Sequence, residues 1–274
     1  MRVPFVKMDG AGNDYVLVDA IRDPFPLQRG AELARTWSDR RFGIGADGLI
    51  VMLRGVESSV AMAMWNADGS EGAMCGNGIR CLAVLAREHG HVDSDTFWIE
   101  TKAGPRSVRI ERDAHGATAS VVVDMGSVTM AQKPTVVEAG GRLLEFWISD
   151  VGNPHATVFV DDMLQDFPVE TIGANLQHSP WFPEGVNVEF VRVEPDGSLR
   201  QRTYERGSGE TLACGTGACA SAHCALQLGL VKGPAVVVRL RGGDLRVVQH
   251  DASLVLQGPA RTVYSGFVEV REHS

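Results

Sequence analysis

The sequence predicts an α+β fold of two homologous, pseudo-twofold units, each a mostly antiparallel, barrel-like sheet around one central helix. Three observations carry this. A short phrase occurs once in each half, as Glu71-Gly-Ala-Met-Cys75-Gly-Asn-Gly78 and as Glu210-Thr-Leu-Ala-Cys214-Gly-Thr-Gly217. Polar anchors stand in register around it: Cys75 lies 62 residues after Asn13 and Cys214 lies 61 after Asn153, while Asp47 and Asn187 each follow their asparagine by 34. Finally, β-branched runs are many and short, helical stretches are few, and Gly, Pro and Asp punctuate both.

Taken in chain order, the expected strands are 15–19, 49–53, 97–101, 107–111, 119–124, 156–160, 186–193, 235–240, 245–249, 253–257 and 262–270. Helices are expected over 33–40, 79–88 and 218–228, the last two stopped by Gly90 and Gly229, which tolerate the left-handed conformation of a helix C-cap. A repeat offset near 140 residues is too long for a solenoid and implies two domains. The division falls at 1–133, carrying Cys75, and 134–274, carrying Cys214, where Lys133-Pro134 and Gly140-Gly141 interrupt the strand pattern.

Each Cys-Gly-x-Gly phrase runs straight into a predicted helix, so each thiol belongs at a helix N-terminus. Unpaired backbone N–H groups and the positive end of the dipole favour a thiolate there. Two matched thiols suggest a single site made of two halves. One cysteine as thiolate removes a proton from a carbon and the other, as thiol, returns one to the opposite face, which inverts a stereocentre. Helix-end amides around Gly76-Asn77 and Gly215-Thr216 can bind a carboxylate and stabilise the charge of the carbanion. The two thiols need different environments, because one must stay protonated.

Composition excludes several other classes. The formal charge of −8, from 26 basic and 34 acidic residues, comes without a long basic block, so nucleic acid is not an expected partner. No stretch approaches the roughly 18 apolar residues of a membrane span, and Met1 to Gly10 lacks an apolar signal core. A cytoplasmic location is therefore expected. Five cysteines without a Cys-x-x-Cys pair argue against a disulfide framework and a zinc ribbon. Cys81, Cys219 and Cys224 are expected in the core, and the histidines other than His155, including His89 and His91, read as surface residues without ligand spacing. No metal site is expected. Gly43-Ile-Gly45-Ala-Asp-Gly48 spells the dinucleotide fingerprint, yet a helix precedes it and a strand follows, the reverse of what that fold requires. Glu71 and Glu210 read as helix-entry hydrogen-bond acceptors.

Six motifs in order, Phe5 to Asp14, Asn66 to Glu71, Cys75 to Arg80, Gly152 to His155, Glu205 to Thr211 and Ala213 to Gly217, make nearly the whole chain resemble the diaminopimelate epimerase family. The resemblance implies that family's fold and a cofactor-independent isomerase interconverting LL- and meso-diaminopimelate, on the way to lysine and to cell-wall peptide. It assigns Cys75 and Cys214 as the acid/base pair. Gly76, Asn77, Gly215 and Thr216 would supply amides to the reacting carboxylate, and Asn13, Asn66, Asn153, Asn187, Glu205 and Arg206 would hold the substrate. His155 and Glu205 would tune the cysteines, and Tyr264 would contribute to a homodimer contact. Gly48 stands where some members carry a substrate-contacting glutamine.

These roles suit the chemistry. Arg206 can pair with a distal carboxylate, Glu205 can accept from a distal ammonium, and asparagine amides can serve both. A related two-cysteine racemase acting on proline or hydroxyproline is the nearest alternative, but such a substrate has no distal charge for the Glu205-Arg206 pair. A dithiol redox protein would use two activated cysteines and would leave the paired anchors and Arg206 unexplained. A non-catalytic amino-acid-binding protein would not need two thiols.

Overall fold

Each cysteine-headed segment folds into a 13-residue helix, and strands close around it. In the computed structural model, which describes residues 1–250 and 253–270, two compact units form: Met1–Val123 with the described residues from Gly258 onward, and Asp124–Gln257.

The first unit contains β1 (Arg2–Gly10), β2 (Asn13–Asp19), α1 (Gly30–Ser38), β3 (Gly48–Leu53), β4 (Val60–Asn66), β5 (Glu71–Gly72), α2 (Gly76–Glu88), β6 (Thr96–Glu100), β7 (Arg106–Arg112) and the start of β8 (Thr118–Ser127). Strands β1 and β2 are antiparallel, β2 and β3 parallel with Tyr15 opposite Gly48, and β3 and β4 antiparallel with Gly48 opposite Asn66. Strand β4 is also parallel to β6, which leads antiparallel into β7 and β8. Helix α2 packs against β1, β2, β3, β4 and β7. It is buried from Gly76 to Ala86, as expected of a helix covered on all sides. By contrast α1 buries one stripe, Gly30, Leu33, Ala34 and Trp37, at the i, i+3, i+4, i+7 spacing, and joins a core with Val16, Val18, Leu49 and Val51.

The second unit repeats the plan with β9 (Thr129–Met130), β10 (Thr135–Ala139), β11 (Arg142–Asp150), β12 (Pro154–Phe159), α3 (Val169–Gln177), β13 (Asn187–Val193), β14 (Leu199–Glu205), β15 (Gly209–Thr211), α4 (Gly215–Gln227), β16 (Ala235–Leu240), β17 (Gly243–His250) and β18 (Ser253–Gly258). Here β12 and β13 are the parallel pair, with His155 opposite Asn187, and β14 is parallel to β16. Helix α4 packs against β11, β12, β13, β14, β16 and β17. Phe146, Phe190, Ile172 and Val188 lie at the centre of this unit's core, fully buried.

The units do not divide at 133/134. The first ends at Val123, inside β8, and the chain rejoins it from Gly258 onward. The physical reason is β19 (Arg261–Glu269), which pairs antiparallel with β1 from Glu269 opposite Arg2 to Arg261 opposite Asp9. Expected strands and helices are present with ends shifted by a few residues, and further elements accompany them. Strand β4, Val-Ala-Met-Ala-Met-Trp-Asn, has few β-branched residues, so its alternating buried Val60, Met62 and Met64 mark it instead. Strand β14 is mostly polar, and α3 follows Pro168 with Val169, Ile172, Gly173 and Leu176 buried at helical spacing. The Gly43–Gly48 segment is a turn from α1 into β3, in which the N–H groups of Ile44 and Gly45 both bond to Trp37 O at 2.9 Å.

Candidate active site

Both thiols occupy the N-cap of their helices. Cys75 (φ −131°, ψ 124°) and Cys214 (φ −121°, ψ 114°) are extended, and the following glycine starts the helix. An N-cap side chain accepts from the N–H of N2 or N3. Here sulfur takes that role: Gly78 N–H points at Cys75 Sγ over 3.5 Å and Gly217 N–H at Cys214 Sγ over 3.3 Å. Gly217 is needed for the approach, since a Cβ there would lie 3.2 Å from Cys214 Sγ and 2.6 Å from Glu189 Oε1. Gly76 and Gly215 are buried in the first turn beside Asn77 and Thr216; the Thr216 hydroxyl is 3.4 Å from Cys214 Sγ.

Around Cys75, β2 supplies two partners. Tyr15 Oη lies 3.0 Å from Sγ and 2.9 Å from Asn13 Oδ1, and Sγ is 3.6 Å from the same Asn13 oxygen. Asn77 Nδ2 donates to Asn13 Oδ1 at 3.2 Å, and Asn13 Nδ2 donates to Asp47 Oδ2 at 2.7 Å. Asn13 therefore orients Tyr15, Asn77 and Cys75 as a set. Behind it, Asp14 pairs with Lys7 and, at 2.6 Å, with Arg40, which also reaches Asp47 at 2.8 Å. Burial opposes ionisation of Asp14, but hydrogen bonds from Arg40 and Lys7 outweigh it and bring the carboxyl down to about 2. Burial and the Asp14 charge push Asp47 the other way. Arg80, fully buried in α2, donates to Gly76 O at 3.0 Å and Pro259 O at 3.1 Å, so a guanidinium braces the turn that follows Cys75. Asn66 ends β4 opposite Gly48, with Nδ2 donating to Ser70 Oγ at 2.9 Å in the turn that follows. Gly48 lies against β4, where a Cβ would come within 2.5 Å of Trp65 O.

Carboxylates surround Cys214 instead. His155 is fully buried, with Nδ1 2.8 Å from Glu189 Oε1 and Nε2 3.0 Å from Asn153 Oδ1. Asn187 donates to Pro154 O at 3.2 Å and accepts the Arg206 N–H at 3.0 Å. The Arg206 guanidinium is exposed and donates to Glu184 O at 3.2 Å. Glu205 accepts from the Thr211 hydroxyl. Burial raises the Glu205 carboxyl, partly offset by hydrogen bonds from Thr211 and the Cys214 thiol. Burial first, then the Glu205 and Glu189 charges, hold the Cys214 thiol well above its ordinary value of 9.0, against the pull of Thr216 and the Gly217 amide.

The structure thus groups Asn13, Cys75, Gly76 and Asn77 in one unit, and Asn153, His155, Asn187, Glu205, Arg206, Cys214, Gly215 and Thr216 in the other. Two expected readings change. Glu71 is exposed and pairs with Lys102 at 2.7 Å, and Glu210 accepts from Arg202 at 2.7 Å and Arg241 at 2.9 Å, so both glutamates end in ion pairs rather than helix-entry bonds. His89 and His91 are not independent surface residues, because both meet Asp19. Sequence reading also passed over Tyr15 and Glu189. Tyr15 had a signal, as it precedes His155 by 140 residues, the same offset as between Asn13 and Asn153. Glu189 had none beyond lying two residues after Asn187. Cys81, Cys219 and Cys224 are buried, and burial pushes Cys81 and Cys224 up to about 12.

The diaminopimelate epimerase family model matches residues 5–131 and 147–263. The chain belongs to the diaminopimelate epimerase family. It is 43% identical to the diaminopimelate epimerase of Geobacillus kaustophilus over 278 residues, covering 96% of this chain and 95% of that one. It is 40% identical to that of Leptospira biflexa over 284 residues, covering 98% and 100%. Among solved structures, a hydroxyproline epimerase from Agrobacterium vitis superposes with a TM-score of 0.76 at 17% identity over 97% of this chain and 92% of that one, a likeness of fold.

The Asp14 cluster makes stability depend on pH with a definite sign. A carboxyl near 3.8 unfolded and about 2 folded stabilises the native state above its unfolded value and loses that contribution as pH falls through about 4 to 2. Urea unfolding at stepped pH should show this limb flattened in Asp14→Asn. An unchanged limb assigns the acid sensitivity to other carboxyls.

Proposed function

We propose that this protein interconverts LL- and meso-diaminopimelate without a cofactor, with Cys75 and Cys214 exchanging the α-proton on opposite faces. The observation that carries the reading is the matched N-cap placement of both thiols, in a chain about 40% identical to diaminopimelate epimerases over nearly its full length. The differing surroundings divide the labour. Cys214, buried beside Glu205 and Glu189, keeps its proton and acts as the acid. Cys75, facing the Tyr15 hydroxyl and the Gly78 amide, is the base. For the reverse reaction the roles exchange.

The helix-start amides of Gly76-Asn77 and Gly215-Thr216 receive the α-carboxylate, where N–H groups and the dipole stabilise the carbanion. Asn13, Asn153 and Asn187 orient the amino acid head, directly or through the side chains they hold. Asn66, Glu205 and Arg206 recognise the distal amino acid end, and the exposed Arg206 guanidinium is available to a carboxylate. His155 positions Glu189 and so tunes Cys214. Catalysis by two thiols that must stay unoxidised fits a reducing cytoplasm. A homodimer through β19 fits its exposed Val263, Tyr264 and Phe267, although Tyr264 also packs edge-on against Phe5 at 6.0 Å.

The decisive measurement is incubation with LL-diaminopimelate in deuterated water. Meso product should carry deuterium at one α-carbon, and Cys75→Ala and Cys214→Ala should each abolish its formation; near-normal turnover in either variant sinks the two-thiol mechanism. Alkylation of Cys214 by iodoacetamide should keep rising with pH above 9, and Glu205→Gln should move that profile to lower pH. An unmoved profile removes Glu205 from the thiol's surroundings. Sedimentation should give twice the chain mass, falling toward one chain in Tyr264→Asp, and a monomeric parent refutes the dimer.

A further inference from the structure

Asp19, at the end of β2, has a carboxylate only 5% exposed. Its Oδ1 accepts the backbone N–H groups of Ile21 at 3.1 Å and Arg22 at 3.2 Å, which sets its orientation. Its Oδ2 faces two imidazoles, His89 Nδ1 at 2.7 Å and His91 Nε2 at 2.6 Å. The rings stand 60° apart with centroids 6.3 Å from each other, so they approach the oxygen from different directions. All three donor atoms lie within 4.8 Å of one another. The imidazoles are 26% and 14% exposed, which leaves one side of the group open to solvent.

The backbone holds both histidines rigidly. His89 is the C-cap of α2; Gly90, at φ +74°, donates to Arg87 O at 3.3 Å, and His91 N–H donates to Ala86 O at 3.0 Å. That is the Schellman pattern, which commonly carries an apolar residue at the position of His91. Helix α4 ends in the same way. Gly229, at φ +68°, donates to Leu226 O at 3.1 Å and Leu230 to Ala225 O at 2.9 Å. The residues 139 after His89 and His91, the offset from Cys75 to Cys214, are Leu228 and Leu230, and the residue 140 after Asp19 is Phe159. The fold therefore needs only apolar residues at these three places. The first unit carries three ligand-type side chains there, converging on one point.

We propose that Asp19, His89 and His91 bind a divalent transition-metal ion of the zinc class, with a fourth position open to solvent. Two imidazoles and one carboxylate form a ligand set that zinc takes with an added water. Bonds of about 2.0–2.1 Å to a tetrahedral ion separate ligand atoms by roughly 3.3 Å, so the two short contacts need open by only about half an ångström. The ion ties the end of β2 to the end of α2. Those elements begin at Asn13 and immediately after Cys75, so the clamp stiffens the Cys75 set from its far end without touching the thiol.

The test is calorimetric titration of Zn²⁺ into metal-stripped full-length protein. It is done in a Cys75→Ser/Cys214→Ser background, because free thiols compete for zinc. The expected result is one ion per chain with micromolar or tighter affinity and a raised melting temperature. His89→Leu/His91→Leu installs the residues of the second unit, and Asp19→Asn keeps the Oδ1 turn; both should lose binding and the thermal shift while melting as the parent does in chelator. If the double variant fails to fold, His91→Gln replaces it. No binding by the parent, or equal affinity in the variants, overturns the proposal.

Discussion

Everything at the candidate site depends on a cysteine standing where a helix begins. The N-cap position demands extended backbone angles and an acceptor for an unpaired amide, and sulfur meets the second demand weakly. The thiol is thereby aimed along the helix start, beside the same free N–H groups that can receive a carboxylate. The surrounding strands hold that geometry. Each central helix is buried on nearly all sides, so the position of its first turn is set by packing rather than by helix propensity.

The two units share this frame and differ in what they place around it. At the position of Tyr15 the second unit has His155, at that of Asp47 it has Asn187, and at that of Arg80 it has Cys219. One thiol faces a phenol in a unit braced by a buried guanidinium, and the other sits among carboxylates. The shared plan accounts for a cysteine at the head of each central helix, and the differences around it hold the Cys214 thiol well above its ordinary value. The same divergence appears at the helix ends, where His89 and His91 stand in place of Leu228 and Leu230.

Much of this was legible in the sequence. The repeat phrase, the in-register anchors and the glycine stops located both central helices and the thiols at their heads, because capping is a local property of a few consecutive residues. Strand β4 was less visible because alanine and methionine carry its alternation, and the place of Glu189 could not be read at all. Its carboxylate meets His155 across the parallel pairing of β12 with β13, a contact 34 residues apart along the chain. The ion pairs of Glu71 and Glu210 escaped for the same reason, since Lys102 and Arg241 reach them from turns 31 residues along the chain and Arg202 from the neighbouring strand β14.

The sequence by itself determined the duplicated α+β plan, the pair of capping cysteines and the family, since short-range patterns and spacing carry all three. Tertiary structure alone decided which groups surround each thiol, that the C-terminal strand returns to the first unit beside β1, and that two histidines meet Asp19. Sheet pairing brings together residues far apart in the chain, and burial then sets the protonation of what it encloses. Neither is written in any local run of residues.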